Sequence, residues 1–440
     1  MRKRKHTRSA VRRRPREQKQ ANATVEVLIE RILPGGVGLA HADDRTLLVA
    51  LAAPGDRVRV LIERVHGRVA FASIAEILSP SPERVEPPCP YFGRCGGCDF
   101  QHLSYEAQLA AKVEIIRDCL RRIAQIDFTG EIPITGSPNA WHYRSRAQWQ
   151  HDPQQMRLGY FERGSHRVCD VAACPVLVPE LQATLESLRG QMKEGSLPSG
   201  VLEFEAVAGD DGSSLAPPAQ EHPTREVSRR IGEHRYRFSA EGFFQINHEL
   251  LEPLIAAAIN DAQGDTAVDL YCGAGLFTLP LAQRFTRVYG VEAHATAISF
   301  ARLNLEDASL NNATFEAARV SDWLADNSRR LAPVDFVLLD PPRAGAEDET
   351  ISGILALHPQ RIAYVSCDPA TLARDLKGLI AGGYRLDSAA AFDMFPQTHH
   401  VETVVHLKTD CLKTHKSLRT STSHCEYTHK CSRIIPVEHS

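Results

Sequence analysis

Two sets of cysteines in the sequence have the surroundings to do chemistry. In Tyr364-Val365-Ser366-Cys367-Asp368-Pro369 a thiol ends an apolar run, just before the expected start of a helix. An ionised thiol is a nucleophile, and a helix N-terminus is expected to lower its pKa. His399-His400-Val401-Glu402 offers a carboxylate suited to general-base work. The second set is Cys89, Cys95 and Cys98, in C-x5-C-x2-C spacing with Gly93, Gly96 and Gly97 between them. Glycines permit the tight reversal that turns three thiolates toward one centre. One ligand position is left, for which Cys174, followed by Pro175, and Cys169 both qualify. Four thiolates suit either zinc or an iron-sulfur cluster, and spacing alone does not choose between them.

A third group of residues reads as a cofactor site. Val268-Asp269-Leu270-Tyr271-Cys272-Gly273-Ala274-Gly275 is a strand running into a G-x-G turn, which lets a ligand approach the backbone. Glu292 ends the next strand, where a carboxylate can accept hydrogen bonds from ribose hydroxyls. Thr278 stands where a dinucleotide fingerprint has its third glycine, so a nucleoside cofactor without pyrophosphate, such as S-adenosylmethionine, fits better than NAD. Asp340, in Leu339-Asp340-Pro341-Pro342-Arg343, lies at another strand end, and Asp322 is placed to face an adenine.

These residues require elements to hold them. From Ala267 onward the pattern alternates: strand 267–270, helix 276–284, strand 288–291, helix 295–308, strand 334–339 and strand 362–365. That alternation predicts a parallel doubly wound sheet with its ligand edge at the strand ends. Upstream, Val25–Ile29 and Arg57–Ile62 with Gly/Pro punctuation predict a small β-barrel, and the Pro-rich stretch 79–88 a boundary. Leu109, Val113, Ile116 and Leu120 recur at helical spacing over 105–123.

Composition bounds the rest. At about 150 residues per domain, 440 residues predict two or three domains. With 43% hydrophobic and 24% charged residues, wholesale disorder and a disulfide mini-protein are excluded. No run of apolar residues is long enough to span a membrane. Eleven unevenly spaced cysteines point to metal binding or catalysis inside the cell, not to a disulfide framework. The net charge of -3 conceals an asymmetry: residues 2–19 carry ten Lys/Arg against Glu17 alone, leaving 41 basic and 53 acidic residues in the body. A basic arm on an acidic body suggests a polyanionic partner. Trp141-His142-Tyr143-Arg144-Ser145-Arg146, with Arg157, Arg163, His166 and Arg167, offers aromatic and cationic groups for bases and phosphates.

Taken in order, the cysteine knuckle with Cys174-Pro175, Phe243-Phe244-Gln245-Ile246-Asn247, the 269–275 turn, Asp340-Pro341-Pro342-Arg343-Ala344-Gly345, the segment around Cys367, and His400-Val401-Glu402 resemble the RNA (uracil-5)-methyltransferase family. Within it the likeness is to the bacterial 23S rRNA enzymes and covers roughly residues 22–408. The resemblance implies that Cys367 is the nucleophile and Glu402 the base. It also implies cofactor contacts at Gln245, Tyr271, Gly273, Gly275, Glu292, Asp322 and Asp340, and a [4Fe-4S] cluster on Cys89, Cys95, Cys98 and Cys174. C5 of uracil is a weak nucleophile, so thiolate addition at C6 must first activate it for methylation by S-adenosylmethionine. Leu276 departs from the family, which often has Asn there.

The expected architecture is α/β: a Rossmann-like class I methyltransferase domain at 241–410, an OB-like TRAM barrel at 22–80, and a mixed α+β iron-sulfur, RNA-binding domain at 81–240. Its helix at 103–124 is expected to pack on the catalytic domain. A disordered basic arm at 1–21 and an unassigned tail at 411–440 complete the chain. A cytoplasmic monomer acting on RNA, with 23S rRNA foremost and no membrane contact, is the expectation. tRNA is the rival substrate, and a non-catalytic iron-sulfur RNA-binding protein is the alternative class.

Overall fold

A computed structural model describes residues 23–409, so the basic arm at 2–19 and the tail from 411 lie outside the described residues. Six strands come first: β1 (Thr24–Leu28), β2 (Arg31–Leu33), β3 (Val37–Ala42), β4 (Arg45–Val49), β5 (Arg57–His66) and β6 (Val69–Ser79), in the order β1-β5-β6-β4-β3-β2. Period-two alternation drives this unit. In β5, Val58, Val60 and Ile62 are buried while Arg57, Arg59 and Leu61 between them are not. The inward set packs with Val27, Ile29, Leu47 and Val49.

Helix α1 (Tyr105–Cys119) starts at Ser104, whose Oγ accepts the Ala107 N–H at 3.3 Å. A wider turn over Leu120–Ala124 then ends in left-handed Gln125. The buried face of α1 joins Ile32 and Ala53 of the N-terminal β unit, Phe100, and Ala373 of a helix in the last unit in one apolar cluster. It also buries Lys112, which pairs with Asp393. Removing either partner would strand a buried charge, at a cost of about 3–5 kcal/mol.

After the short strand β7 (Ile134–Thr135), the chain forms an antiparallel sheet of β8 (Arg146–Asp152), β9 (Arg157–Phe161), β10 (Val168–Asp170), β11 (Glu203–Gly209) and β12 (Gly212–Ala216), in the order β10-β9-β8-β11-β12. Leu181, Leu185 and Leu188 of α2 (Pro179–Glu194) cover it, packing on Trp149 and Phe204. A hairpin, β13 (Val227–Ile231) with β14 (His234–Phe238), leads into the last unit.

That unit is built on β15 (Gly264–Leu270), β16 (Phe285–Glu292), β17 (Ala313–Ala317), β18 (Phe336–Leu339), β19 (Arg361–Ser366), β20 (Tyr384–Phe392) and β21 (Glu402–Thr409). The sheet order is β17-β16-β15-β18-β19-β21-β20-β7. Helices α3 (Leu251–Ile259), α4 (Thr278–Ala282) and α5 (Ala295–Asp307) cover one face; α6 (Val320–Leu331), α7 (Asp348–Ala356) and α8 (Pro369–Ala381) cover the other. Strands buried on both faces read as continuous apolar runs, and Phe336–Leu339 is buried at every position. The strands expected between 267 and 365 pair parallel, and the sheet extends beyond them: β21 enters antiparallel between β19 and β20. No helix separates β20 from β21, and strands joined without a crossover pair antiparallel. The strand order reverses between β15 and β18, which opens a crevice at their carboxyl ends.

Candidate active site

The antiparallel insertion of β21 is what brings Cys367 and Glu402 together. Registered pairs run from Arg361 opposite Lys408 to Ser366 opposite Thr403, so the next step sets Cys367 opposite Glu402. Both line one cleft of about 530 Å³ with Gln245, Asp340 and Arg343. Cys367 is held from behind by the start of α8: Asp368 Oδ1 accepts the Ala370 and Thr371 N–H groups at 2.9 and 3.0 Å, and Pro369 occupies the first turn. The expectation that this helix start lowers the thiol pKa is overturned. Burial, reinforced by the Glu402 carboxylate, pushes Cys367 up to about 12, and Arg343 opposes that only partly. Glu402, 2% exposed, is pushed well above the usual carboxylate range by burial and then by Asp340, with Arg343 again opposing.

Asp340 follows β18, and its N–H donates to the Leu270 carbonyl at 3.2 Å. Its Oδ2 accepts from Gln245 Nε2 at 3.1 Å. Burial and the nearby Glu292 raise it to about 7, against the Gln245 hydrogen bond. Glu292 ends β16 and turns back to the G-x-G loop, accepting from Gly273 N–H at 3.3 Å and His294 N–H at 2.9 Å. Within that loop Gly273 has φ +52° and open space where a Cβ would stand, whereas a Cβ on Gly275, φ +87°, would meet Leu279 at 3.2 Å. Tyr271 is also left-handed, φ +63°, with its hydroxyl 3.5 Å from Thr350 Oγ1. Of the expected cofactor contacts Gln245 and Asp340 line the cleft, whereas Tyr271, Gly273, Gly275, Glu292 and Asp322 do not, and Asp322 lies exposed in the first turn of α6.

One residue of this region went unassigned by sequence reasoning. Asp269 is fully buried, accepts from Thr278 Oγ1 at 2.5 Å through Oδ2, and leaves Oδ1 without a partner. Burial raises it to about 7. The threonine that breaks the dinucleotide fingerprint is therefore the partner of a buried acid, a pairing at i, i+9 that no local pattern signals. These features fit S-adenosylmethionine: a glycine turn with room beside it, an orphaned buried carboxylate oxygen, and Asp340, Glu292 and Asp269 crowded so that a cationic ligand would relieve their repulsion.

Cys89, Cys95, Cys98 and Cys174 line a separate cavity of about 200 Å³ that shares Arg144, Arg343 and Phe395 with the cleft. Cys169 is buried on β10 instead, its Sγ accepting from Arg94 Nε at 3.3 Å, and is not part of that lining. Burial pushes Cys95 up to about 11 and Cys98 to about 12. Among the described residues no group of three or more His, Cys, Asp or Glu is arranged to hold a metal ion, so the expected metal centre is not formed by this geometry alone.

The proposed nucleic-acid stretch divides. Tyr143 and Ser145 are core residues, the Tyr143 hydroxyl donating to the Pro396 carbonyl at 2.9 Å, and they cannot stack on bases. Arg146 pairs with Glu205 at 2.8 Å and lies 5.7 Å from the ring of Phe243, an exposed aromatic at the cleft mouth. Arg163, His166 and Arg167 are exposed on the loop between β9 and β10.

A doubly wound sheet with a carboxylate-lined crevice at its switch point defines a class I methyltransferase. Comparison with known proteins makes this specific. Residues 223–410 match the family described as tRNA (Uracil-5-)-methyltransferase, and residues 18–75 match the TRAM domain. A 23S rRNA (uracil(1939)-C(5))-methyltransferase RlmD of Pectobacterium atrosepticum is 34% identical over 86% of this chain and 92% of its own length. An uncharacterized RNA methyltransferase of Thermosynechococcus vestitus is 32% identical over 89% and 99%. Among solved structures, the Pyrococcus abyssi tRNA (uracil-54, C5)-methyltransferase in complex with S-adenosyl-L-homocysteine superposes with a TM-score of 0.67 at 25% identity, covering 87% of this chain and all of that one. The chain belongs to the S-adenosylmethionine-dependent RNA (uracil-5)-methyltransferases, with a TRAM domain at its N-terminal end. Among the described residues no helix is long and apolar enough to cross a membrane.

Proposed function

We propose that the protein methylates C5 of a uridine in 23S rRNA, with Cys367 as nucleophile and Glu402 as base. The observation that carries this is that Cys367, one residue past β19, and Glu402, the first residue of β21, line one cleft with Gln245 and Asp340. S-adenosylmethionine, held by Gln245, Tyr271, Gly273, Gly275, Glu292 and Asp340, supplies a methyl group on a cationic sulfur. Asp322 remains a candidate for the adenine side. Cys367 adds to C6 of a flipped uracil, which concentrates electron density at C5. Arg343, whose charge acts on both groups, favours the thiolate over the thiol as that bond forms. Once C5 carries the methyl group, Glu402 takes the C5 proton, the C5–C6 double bond reforms and Cys367 leaves. Once ionised, a carboxylate whose pKa is raised by burial is a stronger base than an ordinary one.

The chain reads as a barrel at 22–80, a central RNA-binding unit at 81–240 and a catalytic unit at 241–410. In the central unit Cys89, Cys95, Cys98 and Cys174 would hold a [4Fe-4S] cluster. Four half-buried thiols around one cavity are a donor set that suits either an iron-sulfur cluster or zinc, whose positive charge would offset the cost of ionising them. Absorbance of anaerobically purified protein separates the two. The 23S reading draws on the bacterial relatives' names; tRNA is favoured instead by the full-length match to the Pyrococcus tRNA enzyme. Mapping 5-methyluridine by mass spectrometry in 23S and tRNA transcripts treated with protein decides. 5-Methyluridine in 23S RNA alone is expected, and its absence there with modification of tRNA would reverse the assignment.

A further inference from the structure

The loop at 393–401 between β20 and β21 delivers Glu402 to the cleft, and three other parts of the molecule hold it. Asp393 pairs with Lys112 of α1. The Gln397 carbonyl accepts the Asp99 and Phe100 N–H groups of the cysteine knuckle at 3.0 and 2.9 Å. The Asp99 carboxylate reaches back, accepting the His399 N–H at 2.8 Å through Oδ1 and meeting its Nδ1 at 2.5 Å through Oδ2. Fixed this way, the His399 ring packs on His400 at 4.2 Å, two residues before the carboxylate. Its other side faces the barrel. The turn between β2 and β3 brings Gly36, φ +73°, so near that a Cβ there would stand 3.0 Å from His399 Cβ and 3.2 Å from its Cγ and Nδ1. Gly35, φ +87°, has nothing within 4 Å of its own Cβ position.

We propose that Gly36, Asp99 and His399 form a clamp that sets the position of Glu402 against Cys367, so that the barrel is a positioning element in the chemical step as well as an RNA-binding module. The proposal rests on the reading of Glu402 as base. His399 is tied through both its ring and its backbone, so an added methyl at Gly36 presses on it by a few tenths of an ångström, and the part of that strain the turn does not absorb passes to the loop. Small misplacement of a reacting group far outweighs its structural cost, reaching about a hundredfold in rate for an ångström.

Gly35→Ala and Gly36→Ala make a matched pair, because both put a Cβ on left-handed backbone in the same turn and only the second presses on His399. The readout is a covalent protein-RNA adduct on ordinary uridine substrate with S-adenosylmethionine. With the base displaced, sulfur has bonded C6 and the methyl has bonded C5, but the C5–H pair cannot collapse to expel sulfur, so the adduct persists. Gly36→Ala is expected to accumulate adduct and lose turnover by about tenfold or more, with KM for RNA within about twofold. Gly35→Ala is expected to match the wild type in both. Should Gly36→Ala fold poorly, His399→Gly replaces it with the same expectation, and adding Gly36→Ala to it should cost no more than Gly35→Ala does, since the Cβ, Cγ and Nδ1 that the added methyl would meet are then gone. Glu402→Gln is the reference. If it accumulates adduct while Gly36→Ala behaves as Gly35→Ala, the clamp is overturned and the base assignment stands. If Glu402→Gln accumulates none, the base assignment itself falls.

Discussion

Burial treats the thiols of the cleft and of the knuckle alike: Cys367 and Cys98 are both pushed up to about 12, and Cys95 to about 11. Their neighbours differ. Cys367 faces the carboxylates of Glu402 and Asp340, with Arg343 in opposition, at the mouth of an open crevice. The knuckle thiols face one another and Arg144 around a smaller cavity. A thiol pKa raised by desolvation is therefore not a sign of inertness. On the function proposed above, it marks a group that ionises only when something arrives: a uracil ring that takes up the electron pair in one place, a metal cluster in the other.

The sharpest way to break this comparison is to remove one thiol from each side. Cys367→Ala is expected to lower turnover by about 10³-fold or more while leaving visible absorbance and melting temperature at wild-type values. Cys174→Ala is expected to do the reverse first, abolishing the absorbance of anaerobically purified protein and lowering its melting temperature. Equal losses of absorbance in both variants would show that the two regions are not chemically distinct.

Charge provides a second, smaller test. Asp269 and Asp340, each raised to about 7, bind protons more tightly in the folded protein than in the unfolded chain. The stability they contribute is therefore fully present below about pH 4 and is lost as pH rises through about 7. A cationic ligand reverses that trend. S-Adenosylmethionine affinity, measured by calorimetry, is expected to rise about tenfold between pH 6 and pH 8, and S-adenosylhomocysteine affinity, lacking the sulfonium charge, to rise less. Equal slopes would remove the electrostatic account of the crevice.

The βα alternation from Ala267 onward was legible because strands buried on both faces are unbroken apolar runs ending in polar punctuation, as Phe336–Leu339 followed by Asp340 shows. Cys367 and Glu402 could be picked out by residue type, but not their pairing, which depends on β21 entering antiparallel. The central unit was illegible: its strands are short, and residues such as Tyr143 and Trp149 are core groups in a polar-looking sequence. Long-range ties, Asp99 to His399 and Lys112 to Asp393, join residues nearly 300 positions apart and leave no local trace.

The smallest expected effect lies at the basic arm, outside the described residues. Deleting residues 2–19 should weaken RNA affinity at low salt and flatten its salt dependence, with single-turnover methylation unchanged. An unchanged affinity would make the arm a solubilising tail and confine recognition to the barrel and the two cavities' surroundings.

The most direct test of the central claim is peptide mapping of the adduct formed with 5-fluorouridine RNA and S-adenosylmethionine. Fluorine at C5 cannot be removed as a proton, so the enzyme should stall with sulfur bonded to C6. Mass spectrometry is expected to place the modified nucleotide on Cys367 alone. An adduct on a knuckle cysteine, or none in protein that methylates ordinary RNA, would contradict the assignment of Cys367 as the nucleophile.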